Sequence, residues 1–237
     1  MKNLFMLFVV LFLGLNSIYS QTVTVVTTTN GIAPIPAFTL GKPAALVFLS
    51  TNLSKHFSFS PDIAFSTKDG SFWFSDLWLR YHTELDSAKK WNMIVGVDYP
   101  SFIGGSSTNA SGKKISTISI YPTGQLCLER KVGANHSLVL DYWYLKATDM
   151  STGIKGSYLS LSFFYHKPLK DFSFGLHPNL FYLNYSDGTK GFVGALDVKL
   201  SHKKTGLFFA SQGMSPLGAD KVKSGWNLSL GITRKMF

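Results

Sequence analysis

The stretch SFWFSDLWLRYHTEL, residues 71–85, sets Asp76, Arg80, His82 and Glu84 at even spacings. On an extended chain alternate residues share a face. Two acids, a guanidinium and an imidazole therefore point one way with Phe72, Phe74 and Trp78, and Trp73, Leu77, Leu79 and Tyr81 point the other. Such a face suits three kinds of chemistry. It can brace an interior with paired charges, line a polar path for a solute, or supply a histidine base to a nearby hydroxyl.

Further charges fall on strand-like stretches with the same alternation. Asp62, Asp98, Asp141, Asp197 and Lys199, with Glu129, are the other candidates for that interior. Acids mixed with Arg80 and Lys199 favour neither a purely anionic nor a purely cationic solute. For hydrolysis, His82 with Glu84, or His166 and His177 with nearby serines, provide the residue types. Two positions along a strand give a shared face and not a triad, however, and no hydrolase motif flanks any histidine. His56, His136 and His202 sit beside turns. No metal-ligand cluster, phosphate loop or cofactor motif is present, so neither metal nor cofactor is expected.

The elements that must carry these residues are strands. In FSFSPDIAF, Phe57, Phe59, Ile63 and Phe65 alternate with Ser58, Ser60, Asp62 and Ala64. In WNMIVGVDY, Trp91, Met93, Val95, Val97 and Tyr99 alternate with smaller or polar residues. Leu159 and Leu161 oppose Ser160 and Ser162, and Leu176, Leu180 and Tyr182 oppose His177 and Asn179. The chain is 45% hydrophobic and 15% aromatic, yet it delivers this material in short alternating runs, the pattern of an all-β protein. A soluble sandwich would carry Lys, Glu and Arg on its polar faces. Here those faces hold Ser, Gly, Asn and Thr, whereas the lysines collect in the turns.

Oily faces rich in Phe, Leu, Trp and Tyr suit lipid, and lipid requires the sheet to close. The expected fold is a closed antiparallel transmembrane β-barrel of about twelve strands, with ten as the alternative if 22–29 is only a leader. The strands are expected at 22–29, 44–52, 56–66, 71–84, 91–101, 115–129, 136–147, 157–167, 172–185, 191–202, 205–214 and 225–236. Turns such as LSK, DSAKK, KVGAN, HKPLKD and HKKTG are short and all fall at one end, and longer connections such as IGGSSTNASGKK and ATDMSTGIKG fall at the other. The net charge of +10 then lies largely on two basic rims beside anionic lipid. A nucleic-acid partner is not expected.

The opening MKNLFMLFVVLFLGLNSIYSQ has Lys2, an apolar run from Leu4 to Leu15, and then small or polar residues. This is the layout of a secretory signal peptide cleaved after about Ser20, dividing the chain into 1–20 and a barrel at 21–237. Cys127, the one cysteine, has no disulfide partner within the chain and reads as a buried wall residue.

The close of the sequence, WNLSLGITRKMF, alternates Trp226, Leu228, Leu230 and Ile232 with Asn227, Ser229, Gly231 and Thr233. In this it resembles the outer-membrane β-barrels of Gram-negative bacteria, and most of all small barrels of the Bacteroidota. The resemblance implies that the final strand, ending at Phe237, is read by the barrel-assembly machinery. Phe237 stands one residue out of phase, which implies a turn-off or a bulge near Arg234–Lys235. The outer connection NGIAPIPAFTLGKPAA adds Ile32, Pro34, Pro36 and Phe38, either as a partial plug or partner-docking loop, or as an irregular segment on the barrel lip.

The function expected from these residues is a narrow porin-like channel for small polar solutes or ions in the outer membrane. The alternatives are a non-conducting structural or interaction barrel of an envelope complex, and, third, an outer-membrane hydrolase.

Overall fold

The structure, a computed structural model, describes residues 21–31, 39–108, 112, 114–148 and 154–235. The signal-peptide stretch, the loop candidates Ile32, Pro34, Pro36 and Phe38, and Phe237 lie outside the described residues. Fourteen strands run through the described residues: β1 (Gln21–Thr28), β2 (Ala44–Asn52), β3 (Phe57–Ser66), β4 (Phe72–Glu84), β5 (Trp91–Asp98), β6 (Phe102–Thr108), β7 (Lys114–Ile120), β8 (Thr123–Gly133), β9 (His136–Lys146), β10 (Lys155–Pro168), β11 (Phe172–Tyr185), β12 (Lys190–His202), β13 (Leu207–Pro216) and β14 (Gly225–Lys235).

Twelve of them form a closed antiparallel ring: β1–β5 in order, then β8–β14, with β14 pairing back to β1. The first strand is a full member of this ring. Its register runs unbroken from Thr22 opposite Lys235 to Thr28 opposite Ser229, so no bulge interrupts the pairing at Arg234–Lys235. Side chains reinforce the seam, with Thr24 Oγ1 3.0 Å from Thr233 Oγ1 and Thr28 bonded to Asn227.

Of the expected runs, 91–101 ends early at Asp98 and 115–129 is split into β7 and β8. Pro100 and Pro122 explain the breaks, because neither can donate to the ladder. The two interruptions lie side by side, bridged by Tyr121 N donating to Ser101 O at 2.8 Å. Beyond them β6 and β7 form a hairpin that touches β4 through Ile103 opposite Phe74 and Phe102 opposite Ser75.

The alternation of the sequence sorts residues between the two faces of the ring. Val97 (53% exposed), Leu161 (53%) and Leu230 (59%) face outward, and Gly96, Asp98, Ser160, Ser162 and Gly231 face in and are buried. Outward aromatics gather towards both ends. Phe57, Tyr81, Trp91 and Phe172 lie near the short-turn end, and Tyr99, Tyr144, Phe192 and Trp226 near the long-loop end. An apolar band between two aromatic girdles is the exterior a bilayer selects.

Trp73 departs from the expected phase. The β3–β4 register shifts so that Ala64 faces Phe74 and Phe65 faces Phe72, leaving Trp73 as the extra residue of a bulge. Its side chain therefore turns into the barrel, buried with Val26, Ala44, Leu46, Ala64 and Phe208. A Cβ at Gly31 would come 2.9 Å from its ring, so this close approach needs a residue without one. Phe72, expected inward, instead meets the outward-facing Phe65 at 5.7 Å between ring centroids.

Candidate functional site: the barrel lumen

Halfway along the lumen, strands β3, β4, β5, β8 and β9 bring polar side chains to one level. Arg80 is the centre. Its Nε donates to Gln125 Oε1 at 2.9 Å, and its guanidinium carbon stands 4.3 Å from the Trp78 ring centroid. Gln125 passes the connection on, donating Nε2 to both oxygens of Asp141 at 3.0 and 3.1 Å. Asp141 also accepts Trp143 Nε1 at 2.7 Å. Gly96 makes room for the arrangement, since a Cβ there would lie 3.0 Å from Gln125 Oε1 and 3.2 Å from Arg80 Cγ.

Three further carboxylates surround this centre. Asp62 on β3 is the direct cross-strand partner of Asp76 on β4. Asp76 Oδ1 accepts Ser101 Oγ at 2.7 Å, and Asp98 Oδ1 accepts the Leu77 backbone N–H at 2.7 Å. Asp62, Asp76, Asp98 and Asp141 all lie within electrostatic reach of Arg80. The structure thus gathers five of the nine lumen candidates into one cluster, in which four acidic side chains surround one guanidinium.

The other four sit elsewhere. His82 lies nearer the short-turn end, with Nε2 2.7 Å from Ser58 Oγ, and helps line a cleft of about 610 Å³ with Asn52, Ser54 and Lys55. Glu84 is exposed on the rim and pairs with Lys89 at 3.2 Å. On the wall formed by β10–β13, His177 Nδ1 contacts Asp197 Oδ2 at 3.1 Å beneath the stacked ring of Phe164, and Lys199 Nζ sits 3.9 Å from the Phe208 ring centroid. Lys199 therefore has an aromatic partner of its own, on the strand next to it. Cys127 is buried in the wall.

Sequence reasoning missed the apolar filling of the long-loop half. Trp78, Trp143, Tyr158 and Phe181 follow one another with centroid separations of 5.2, 5.6 and 5.2 Å. Phe181, Leu183 and Tyr185 continue the inward phase of His177 and Asn179 and are buried at 5% exposure or less. The signal was present: at Phe181 the polar face of β11 becomes apolar, giving a run that is oily on both faces from Leu180 to Leu183. Such a run marks a strand buried on both sides.

This geometry defines a class, the closed β-barrel of the outer-membrane type with a charged, partly filled lumen. No protein-family model and no curated protein matches the sequence; the likeness to known proteins lies in the fold. The KdgM porin superposes with a TM-score of 0.59 at 14% identity, covering 91% of this chain and 99% of that one. The NanC porin gives 0.57 at 12% identity, covering 92% and 100%. An outer membrane channel from Pseudomonas putida F1 gives 0.54 at 12% identity, covering 92% and 96%. A second KdgM structure, in complex with disordered oligogalacturonate, superposes at 0.57 with 14% identity, covering 91% and 99%.

Proposed function

We propose that the protein is a narrow porin-like channel of the bacterial outer membrane, passing small polar solutes or ions with a preference for cations. The observation that carries this reading is the polar cluster across the lumen, where Asp62, Asp76, Asp98 and Asp141 outnumber Arg80 inside a barrel whose exterior is apolar. Carboxylates lining a pore select cations. Oligogalacturonate, held by one KdgM structure, is a polyanion, and an acidic centre is poorly suited to it. The charge preference of this lumen thus differs from what that ligand would need.

In this reading the end at which Gln21 and Lys235 lie faces the periplasm, because short turns there and longer loops opposite are the usual arrangement in bacterial barrels. The stretch up to Ser20 serves export. The alternation of Trp226, Leu228, Leu230 and Ile232, closing on Phe237, serves recognition by the barrel-assembly machinery.

Planar bilayers containing the refolded protein, bathed in a salt gradient, provide the test. Discrete current steps with a reversal potential on the cation side support the reading. A demonstrably folded barrel that prefers anions contradicts it, and so does one that stays silent even when residues 217–224 are replaced by a flexible linker.

A further inference from the structure

We infer that the β13–β14 connection, residues 217–224, is a lid that closes the long-loop half of the lumen, so that the structure shows the channel in its shut state. This rests on the channel reading.

The connection does not project freely beyond the barrel. Ala219 and Val222 are buried at 9% and 8% exposure, in the cluster that contains Tyr158, Phe181, Leu183 and Tyr185. Those four side chains come from the barrel wall; Ala219 and Val222 come from a connection and complete the cluster from the open end. In this reading a polar solute or hydrated ion moving from the long-loop mouth to the cluster around Arg80 meets this apolar layer. Apolar constrictions stop ions by excluding water.

The way the lid is held explains how it could open. Leu217 N donates to Phe192 O at 2.8 Å, Asp220 N donates to Lys190 O at 3.0 Å, and Lys221 Nζ reaches the carbonyl of Asp187. Its backbone rests directly on β12, since a Cβ at Gly191 would lie 2.5 Å from Gly218 O and 2.6 Å from Ala219 Cα. Ser224 Oγ also lies 3.4 Å from Ser215 Oγ, so among the described residues the segment is held by a few hydrogen bonds and two modest apolar side chains. Such a segment can open locally at a cost far below that of unfolding the barrel. The wall side chains cannot leave in the same way, because each is fixed to a strand paired on both sides.

Sequence reasoning offered the loop around Pro34 and Pro36 as a partial plug or partner-docking loop, or as an irregular segment on the barrel lip. The lid assigned here lies at the opposite end of the chain.

The test compares three proteins in planar bilayers: wild type, Val222→Asp, and a variant with residues 217–224 replaced by a glycine–serine linker of the same length. A charge at 222 cannot stay in the apolar layer, so Val222→Asp should raise the open probability at least ten-fold, and the linker variant should stay open. Heat-modifiable migration on gels establishes that each protein is folded, and the linker variant keeps the test intact if Val222→Asp fails to fold. Wild type that already conducts as freely as the folded variants overturns the lid and leaves the channel reading standing. Silence from all the folded proteins overturns the channel reading itself, and the lid with it.

Discussion

The guanidinium carbon of Arg80 stands 4.3 Å from the ring centroid of Trp78, its neighbour two positions along β4. The contact fixes a cation in the lumen by one face of the guanidinium while Nε remains in plane to reach Gln125. A lysine in its place would keep the charge but lose the planar donor set that spans ring and amide.

Replacing Arg80 by Gln should therefore do two things. It leaves Asp62, Asp76, Asp98 and Asp141 without their shared counter-charge, and loss of one partner from a desolvated charge network costs about 3 kcal/mol. Urea unfolding from lipid vesicles should show a lower midpoint. In a salt gradient the reversal potential should move further towards the cation limit. Arg80→Lys should recover the selectivity more fully than the stability.

Asp62→Asn tests the same cluster from the other sign. Asp62 sits directly across from Asp76, so the amide removes one of a crowded pair of acidic groups. The cation preference should fall, with the reversal potential moving towards zero. Stability should hold or rise, because like charges directly opposite on neighbouring strands are destabilising. A midpoint that drops as far as that of Arg80→Gln would mean Asp62 is held by contacts other than those around Arg80.

Much of this was legible in the sequence because strand alternation is a strict code. Outward Leu161 beside inward Ser160 and Ser162 follows from a period of two, and closure follows once one face must meet lipid. What escaped was local or cooperative. The bulge that turns Trp73 inward depends on β3 and β4 pairing out of step, and nothing in either strand alone announces it. The breaks at Pro100 and Pro122 were visible as prolines, but their alignment side by side was not. The cluster around Arg80 needs five strands to meet at one height, which depends on stagger around the ring and not on any single segment. The lid escaped because Ala219 and Val222 belong to a connection, where periodicity carries no information.

Gly231→Ala probes the packing at the seam. A Cβ there would fall 2.4 Å from Phe208 Cζ and 2.7 Å from the Val25 carbonyl oxygen. Phe208 is buried beside Trp73 and Ala64, so its ring has little space to move, and the backbone of β1 has less. The added methyl should cost about 1–3 kcal/mol, the usual range for overpacking, seen as a lower urea midpoint. Gly124→Ala is the control. There nothing lies within 4 Å of an added Cβ, and unchanged stability is expected.

Leu161→Arg and Phe181→Ala probe opposite faces of one strand pair. Leu161 on β10 lies directly across from Leu180 on β11, and both point away from the lumen, at 53% and 43% exposure. An arginine at 161 would have to enter lipid near the middle of the strand, where the cost is about 2–4 kcal/mol; Leu161→Phe should be nearly neutral. Phe181 follows Leu180 but faces inward, 5.2 Å from Tyr158 between ring centroids. Truncating it to alanine leaves a cavity and should cost about 3–5 kcal/mol. The two substitutions should separate by lipid dependence. Changing from vesicles to detergent should relax the penalty at 161, since micelles let the guanidinium reach water, and should leave the penalty at 181 as it was. Equal responses to detergent would mean that the inward and outward faces of these strands are not divided as the alternation requires.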